Sequence, residues 1–246
     1  MAIYGISDLH LSLNEYFSTD SVNAFSEHKP MKIFGDHWEN HMEKVFKNWN
    51  ETVSEEDTVL VPGDLSWAMS LKDTAYDFDY LSKLNGKLII CRGNHDYWWD
   101  TKAKILKVLP ENVIPLQHES ILVEDVVISA TRGWMCPGGK EFNEEDEKIY
   151  RRELIRLEMA LKHGKQIMEE QGREYEHWVM LHYRPTNDNF EESGFIELMK
   201  KYDIKRCCYG HLHGNPCYNV LRGEHFGIDF KLLSCDYLDF KPIKLK

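Results

Sequence analysis

With 246 residues, 42% of them hydrophobic and 12% aromatic, the chain can bury a substantial core, which excludes a disordered polypeptide. Its 41 acidic residues against 30 basic give a formal charge of −11, which argues against non-specific attachment to nucleic acid or to an anionic membrane surface. No apolar stretch approaches the ~20 residues that span a bilayer, and the opening run Ala2-Ile3-Tyr4-Gly5-Ile6-Ser7 lacks the basic-then-apolar layout of a signal peptide, so a cytoplasmic protein is expected.

Ala2–Ser7 reads as the first strand, and residues 11–37, polar and aromatic without periodicity, as a long loop after it. Trp38, Met42, Val45, Phe46 and Trp49 then follow the 3.6-residue period of a helix over Trp38–Trp49. A strand is expected at Thr58–Pro62, a helix at Asp73–Leu84 and a strand at Lys87–Arg92. A further helix follows at Thr101–Leu109, with Thr101 placed to cap it and Pro110 to stop it. Ile121–Ser129 is the next strand. Residues 136–176 open on Cys136-Pro137-Gly138-Gly139 and run into a charged helical stretch from Asn143 to about Gln171, with Gly164 marking an interruption or a turn. That stretch reads either as a solvated surface helix or as a lid or partner-binding element. Strands at Trp178–His182 and Arg206–Tyr209 complete the set. Apolar strands alternating with helices predict an α/β layered fold, and the absence of a linker or repeat predicts a single domain over 1–246, with insertions at 11–37 and 136–176.

Polar signatures follow these strands. They are Asp8-Leu9-His10, Gly63-Asp64, Gly93-Asn94-His95-Asp96, His182 and Gly210-His211-Leu212-His213. Strand-end loops are where open α/β sheets bind ligands. Two aspartates, an asparagine and four histidines make seven donors of the nitrogen and oxygen types that suit zinc, manganese or iron, with His95 left over. Seven donors serve two metals if one carboxylate bridges, and a pair of dications ~3.5–4 Å apart is the arrangement that clamps an in-line displacement at phosphorus. Other signals are weaker. His37 and His41 share a helical face but lack the glutamate of a zincin, and Gly138-Gly139-Lys140 lacks the P-loop spacing. Tyr97-Trp98-Trp99 reads as core or pocket wall, with a stacking platform as the sharper option. The six cysteines form no C-x-x-C pair and read as reduced, buried thiols.

In order and identity these signatures resemble the calcineurin-like metallophosphoesterase superfamily, across residues 8 to 213. The resemblance implies a four-layer α/β/β/α sandwich with a site for two divalent ions (Mn, Fe or Zn) at the strand ends. It implies that Asp8, His10, Asp64 and His213 hold one metal, and that Asp64, Asn94, His182 and His211 hold the other. It further implies that His95 assists the leaving group, with Asp96 orienting His95 or a metal ligand. Relatives often carry small or apolar residues between the histidine and Pro185, so Arg184 is a candidate substrate contact here. Arg92 and Arg132 are similar candidates for a phosphate clamp.

The expected activity is metal-dependent hydrolysis of a small phosphorylated molecule by a metal-bound hydroxide, with mono-, di- and pyrophosphate esters all open. A metal-bound scaffold that binds partners without turnover is the alternative. It is disfavoured because members with that role typically lose the histidine corresponding to His95 or several ligands.

Overall fold

Short aliphatic and β-branched runs, too apolar to face water on either side, assemble into two sheets. The protein is described by a computed structural model over residues 1–18, 26–214 and 220–246. In the first sheet β1 (Ile3–Gly5), β2 (Thr58–Val61), β3 (Lys87–Ile90) and β4 (Val113–Pro115) run parallel, and β11 (Ile243–Lys244) lies antiparallel to β1 at one edge. In the second, β6 (Val126–Thr131), β7 (Glu176–Leu181), β8 (Arg206–Tyr209) and β10 (Ile228–Leu232) are parallel. Its edges are β5 (Glu119–Val123) and β9 (Gly223–His225), both antiparallel to their neighbours. Ile3, Leu60, Ile89, Ile128, Met180 and Cys208 pack between the sheets.

Helices cover both outer faces. Met42, Val45 and Trp49 of α1 (His41–Thr52) and Phe78 and Leu81 of α2 (Ala75–Ser82) bury against Val59, Val61, Leu88 and Ile90 of the first sheet. Tyr150, Leu157 and Leu161 of α4 (Glu144–Gln171) and Phe195, Ile196 and Met199 of α5 (Gly194–Lys201) bury against Val179, Leu181, Cys207 and Phe230 of the second. The result is an α/β/β/α sandwich. Among the described residues no helix is long and apolar enough to cross a membrane.

Where sequence and structure differ, the cause is local. The helix expected from Trp38 begins at His41, because Asn40 takes a left-handed φ of 54° and leaves Asp36–Trp38 as a separate 3₁₀ turn. The strand expected over Ile121–Ser129 is a hairpin, turned at Glu124 with φ 54° and Asp125. The helix expected over Thr101–Leu109 is the single turn α3 (Lys102–Ile105). Helix α4, inside the stretch set apart as 136–176, connects parallel strands β6 and β7 and is a layer of the sandwich. Asn143 caps it by accepting from the amides of Glu145 and Asp146, while Asp146 accepts from the Asn143 amide. Gly164 does not break it. A Cβ there would stand 2.6 Å from His177 Nε2, so glycine admits that ring, which bonds Ser129 Oγ at 2.7 Å.

Of the cysteines, Cys91, Cys136, Cys207, Cys208 and Cys235 are buried and unpaired, and Cys217 lies outside the described residues, as do 19–25 of the loop expected at 11–37. Trp98 and Trp99 are core residues, whereas Tyr97 is exposed. Gly164→Val is expected to lower stability by about 1–3 kcal/mol through overpacking against His177. Thermal denaturation reads the shift, and an unchanged Tm would show that the helix can move aside.

Candidate metal centre

All five signatures meet at one rim, where the carboxyl ends of β1, β2 and β3 face those of β7 and β8. The two sheets are stitched there, since the Ser7 amide donates to Leu233 O at 2.7 Å and the Cys235 amide to Ser7 O at 3.0 Å. Asp8, His10 and Asp64 from the first sheet and His211 from the second all take positive φ, at 60°, 48°, 52° and 70°. Such backbone costs L-residues of order 1–3 kcal/mol each and persists only where neighbours enforce it. Gly93 and Gly210 let these loops close up. A Cβ on Gly93 would collide with Asp64, and one on Gly210 with Asp8 and Ser7.

Two donor groups result. Asp8, His10 and His213 form one, with His10 Nε2 facing His213 Nε2 at 3.2 Å and His213 Nε2 3.3 Å from Asp8 Oδ1. Asp64, His182 and His211 form the other, with His211 Nδ1 3.2 Å from His182 Nε2. Asn94 Oδ1 joins the second group, 2.6 Å from His182 Nε2 and 2.8 Å from His211 Nδ1. Asp64 Oδ2 stands between the groups, 3.4 Å from His182 Nε2 and 3.9 Å from His10 Nε2. Ring nitrogens turned toward each other in pairs cannot all be satisfied as hydrogen-bond partners, but they converge as ligands of a shared cation would. The residues therefore fit two borderline divalent ions, one per group, with Asp64 between them.

The electrostatics follow from burying four imidazoles with two carboxylates. Burial pushes the Asp8 carboxyl up, but the His213 and His182 imidazoles outweigh it and hold it at about 2. Burial likewise opposes ionisation of Asp64, and His182 overcomes it, so its carboxyl lies far below the usual range. For His182 burial is again the opposing effect, and Asp64 with Asp8 raises it to about 9. His213 is raised to about 10 against burial by Asp8 and Asp236. Burial presses His10 and His211 down to about 3.

Around the donors lies a set of orienting bonds. His182 Nδ1 bonds Pro62 O at 2.9 Å, which aims Nε2 at the centre. His213 Nδ1 bonds Asp236 Oδ1 at 2.9 Å, the carboxylate–histidine pairing that fixes a ligand's tautomer. Asp8 accepts from Ser7 Oγ, from Ser234 Oγ at 3.1 Å and from the His211 amide at 3.0 Å. The Asp96 carboxylate is turned to backbone. It accepts from the amides of Asp64, Leu65, Ser66 and Gly93 and from the Trp98 indole, at 2.7–3.3 Å. It thus holds the loop of the ligand Asp64, and no bond joins it to the His95 ring among the described residues. The His95 amide donates to Asp64 Oδ1 at 2.8 Å, and its ring lies against Trp67 with centroids 4.2 Å apart. His95 Nδ1 is buried and has no hydrogen-bond partner among the described residues.

The three candidate arginines separate. Arg184 lies on a cavity of ≈ 290 Å³ that adjoins His211, Tyr183 and Phe142, and it is bonded to Asp188 at 2.6 Å. Arg92 and Arg132 line a different cavity. His37 and His41 do not act together: His41 Nε2 bonds Leu9 O, and His37 faces Asp236 at 3.9 Å. The sequence reading missed Asp236, Ser234 and Trp67. Asp236 follows the apolar-rich run Phe230-Lys231-Leu232-Leu233, so the strand-end rule that picked out the candidate ligands reaches this partner of His213 as well.

The sequence model described as calcineurin-like phosphoesterase matches residues 1–215. Among solved structures, the fold is similar to AQ665, a protein of unknown function from Aquifex aeolicus, at a TM-score of 0.50 and 16% identity, covering 99% of this chain and 95% of that one. It is also similar to TT1561 of Thermus thermophilus, at a TM-score of 0.53 and 12% identity, covering 98% and 96%. No curated protein matches the sequence.

Two outcomes are expected on metal loading. His182 and His213 carry protons near neutrality, because their values of about 9 and about 10 lie above it, and each must lose its proton to bind a cation. Calorimetric titration in buffers of different ionisation heat should therefore show proton release that fades as pH rises through those values. Release independent of pH would contradict the paired state. Asp236→Asn should weaken one of the two metals about 10–100-fold and spare the other, as read by competition with a chelator.

Proposed function

Because the chain belongs to the calcineurin-like phosphoesterase family, we propose that it hydrolyses the phosphate ester of a small molecule at this centre. The observation that carries the reading is the two converging donor groups with Asp64 between them. In this reading Asp8, His10, Asp64 and His213 hold one divalent ion, and Asp64, Asn94, His182 and His211 hold the second. Two such ions, whether Mn, Fe or Zn, would polarise the phosphoryl oxygens and supply a hydroxide nucleophile near neutral pH.

The chain's own residues do the rest. His95, fixed through its amide to Asp64, would give a proton to the departing alkoxide oxygen. Trp67, tilted against the ring, limits the positions it can take and keeps water from one face. Asp96 acts as a positioning residue, because its five donors include the amides of Asp64 and Gly93 on either side of the ligand set. The cavity beside His211, walled by Tyr183 and Phe142, offers room for the organic part of the ester. A small substrate also suits a chain of charge −11, which would repel a long polyanion.

The test is hydrolysis of p-nitrophenyl phosphate, bis-p-nitrophenyl phosphate and a nucleotide pyrophosphate with Mn²⁺, Zn²⁺ or chelator. Turnover is expected only with metal, and the three probes rank the ester class. His95→Ala should lower kcat about 10²–10⁴-fold with metal content unchanged, whereas Asp64→Ala should lose both metal and turnover. Two metals bound with no hydrolysis of any probe would favour the scaffold alternative.

A further inference from the structure

A second concentration of basic side chains, partly buried, lies on the same rim beside the metal centre. Arg92 follows β3, Arg132 follows β6, Arg156 reaches in from α4, and His118 sits in the β4–β5 connection with a left-handed φ of 61°. All four line one cavity. The only carboxylate they meet among their described ion pairs is Glu153, fully buried on α4, which takes Arg156 at 2.6 Å, Arg132 at 3.6 Å and Thr131 Oγ1 at 2.9 Å. Three guanidinium groups against one carboxylate leave an excess of two positive charges. Among the described residues Arg92 Nε, Arg132 Nε and His118 Nδ1 are each buried without a hydrogen-bond partner. Burying a donor unsatisfied costs about 1–3 kcal/mol and leaving a cation uncompensated costs more, so a pocket holding several such groups is built for something that supplies acceptors and negative charge.

The cavity's size narrows the ligand. Its volume is ≈ 40 Å³, room for about three waters. A single phosphoryl or carboxylate group fits, whereas a base or sugar does not. Its place narrows the role. Arg92 is two residues from Asn94, a span of at most about 7 Å, and the Arg132 carbonyl accepts the His182 amide at 2.9 Å. Strands β6 and β7, which lead directly into Arg132 and His182, are direct neighbours and so ~4.8 Å apart. Guanidinium forks also match oxyanions bidentately, as an ammonium cannot. Burial presses His118 below its ordinary value and the Arg156 guanidinium adds to the effect, as expected in a field that favours an anion.

We propose that Arg92, Arg132, Arg156 and His118 form a subsite for a compact oxyanion, either a second phosphoryl group carried by the substrate or free phosphate. This rests on the phosphoesterase reading for the role of the substrate-borne group, but not for binding itself. Calorimetry of inorganic phosphate with the metal-loaded protein should find two sites per chain, and Arg156→Gln should remove one of them while the protein stays folded with its metal content retained. Arg156→Lys, which keeps the charge and loses the fork, should weaken that site without abolishing it. Identical phosphate binding in all three proteins would overturn the subsite.

The second arm compares kcat/KM for an alkanediol bisphosphate with that for the alkyl monophosphate of equal length. A fall in that ratio of about tenfold or more in Arg156→Gln, the scale of one charge-assisted hydrogen bond, assigns the site to the substrate. An unchanged ratio, with one phosphate site lost, assigns it to free phosphate. Two phosphate sites in a protein that hydrolyses none of the esters would strike the phosphoesterase reading and leave the subsite standing.

Discussion

The whole centre hangs on one buried carboxylate that touches no substrate position. Asp96 gathers the amides of Asp64, Leu65, Ser66 and Gly93 and the Trp98 indole onto two oxygens. Those amides belong to the loops that follow β2 and β3, and nothing in a parallel sheet pairs them beyond the strand ends. Left unpaired at this depth, each would cost about 1–3 kcal/mol. Fixing them sets the left-handed backbone of Asp64 and brings its carboxylate to the point between two imidazole groups. Asp96 is itself pushed up to about 6, first by burial and then by Asp64, which shows how much unfavourable electrostatics the amide donors offset.

The charge balance of the centre follows from that geometry. Asp8 and Asp64 are negative, and His182 and His213 are raised far enough to be positive, so the cluster without metal is close to neutral. Buried charge is tolerated when it is paired, and the protein pairs it with protons where cations belong. Replacing two protons with two dications turns a neutral cluster into a positive one. That local field, joined by the excess guanidinium charge of the neighbouring pocket, would give a chain of net charge −11 an anion-attracting rim.

How much of this could be read from sequence depended on whether the information was local. The candidate ligands could be picked out because each sits within a few residues of a strand end, so that Asp8, Asp64, Asn94 and His211 are marked by an apolar run and a small or polar turn. Their partner Asp236 was missed although Ile228–Leu232 alternates strictly, because only near-continuous apolar runs such as Val59–Val61 and Leu88–Cys91 had been followed to their ends. Helix α4 was legible as a helix but not as a layer: its buried residues, from Tyr150 to Met168, are diluted by exposed charges over 28 residues. The hairpin of β5 and β6 was masked because Glu124 and Asp125 are only a brief polar break in a long apolar run. Arg92 and Arg132 could be singled out one by one as phosphate-clamp candidates, but nothing local joined them to each other, to His118 or to Arg156. Arg92, His118, Arg132 and Arg156 are spread over four elements and meet only through the crossing of β3, β6 and α4.

The division of donors between the sheets carries a further consequence. The first sheet supplies every oxygen donor, Asp8, Asp64 and Asn94, together with His10, whereas the second supplies only imidazoles, His182, His211 and His213. Each proposed metal therefore draws ligands from both sheets and ties them together at the rim. The opposite end of the interface is held by side chains: Ile3, Val126 and Trp178 pack there, Arg206 donates to Leu245 O at 2.6 Å, and Lys246 pairs with Glu176 and Asp125 at 3.0 Å. Side-chain packing fixes sheet separation to the precision of rotamers, but a metal tolerates donor distances only within about 0.2 Å. The short backbone stitch of Ser7 to Leu233 and Cys235 supplies the missing precision, because it sets the sheet spacing by hydrogen bonds immediately beside Asp8 and Asp236. The same stitch places Ser7 and Ser234 on the Asp8 carboxylate, so the joint between the sheets and the orientation of the first ligand are one structure.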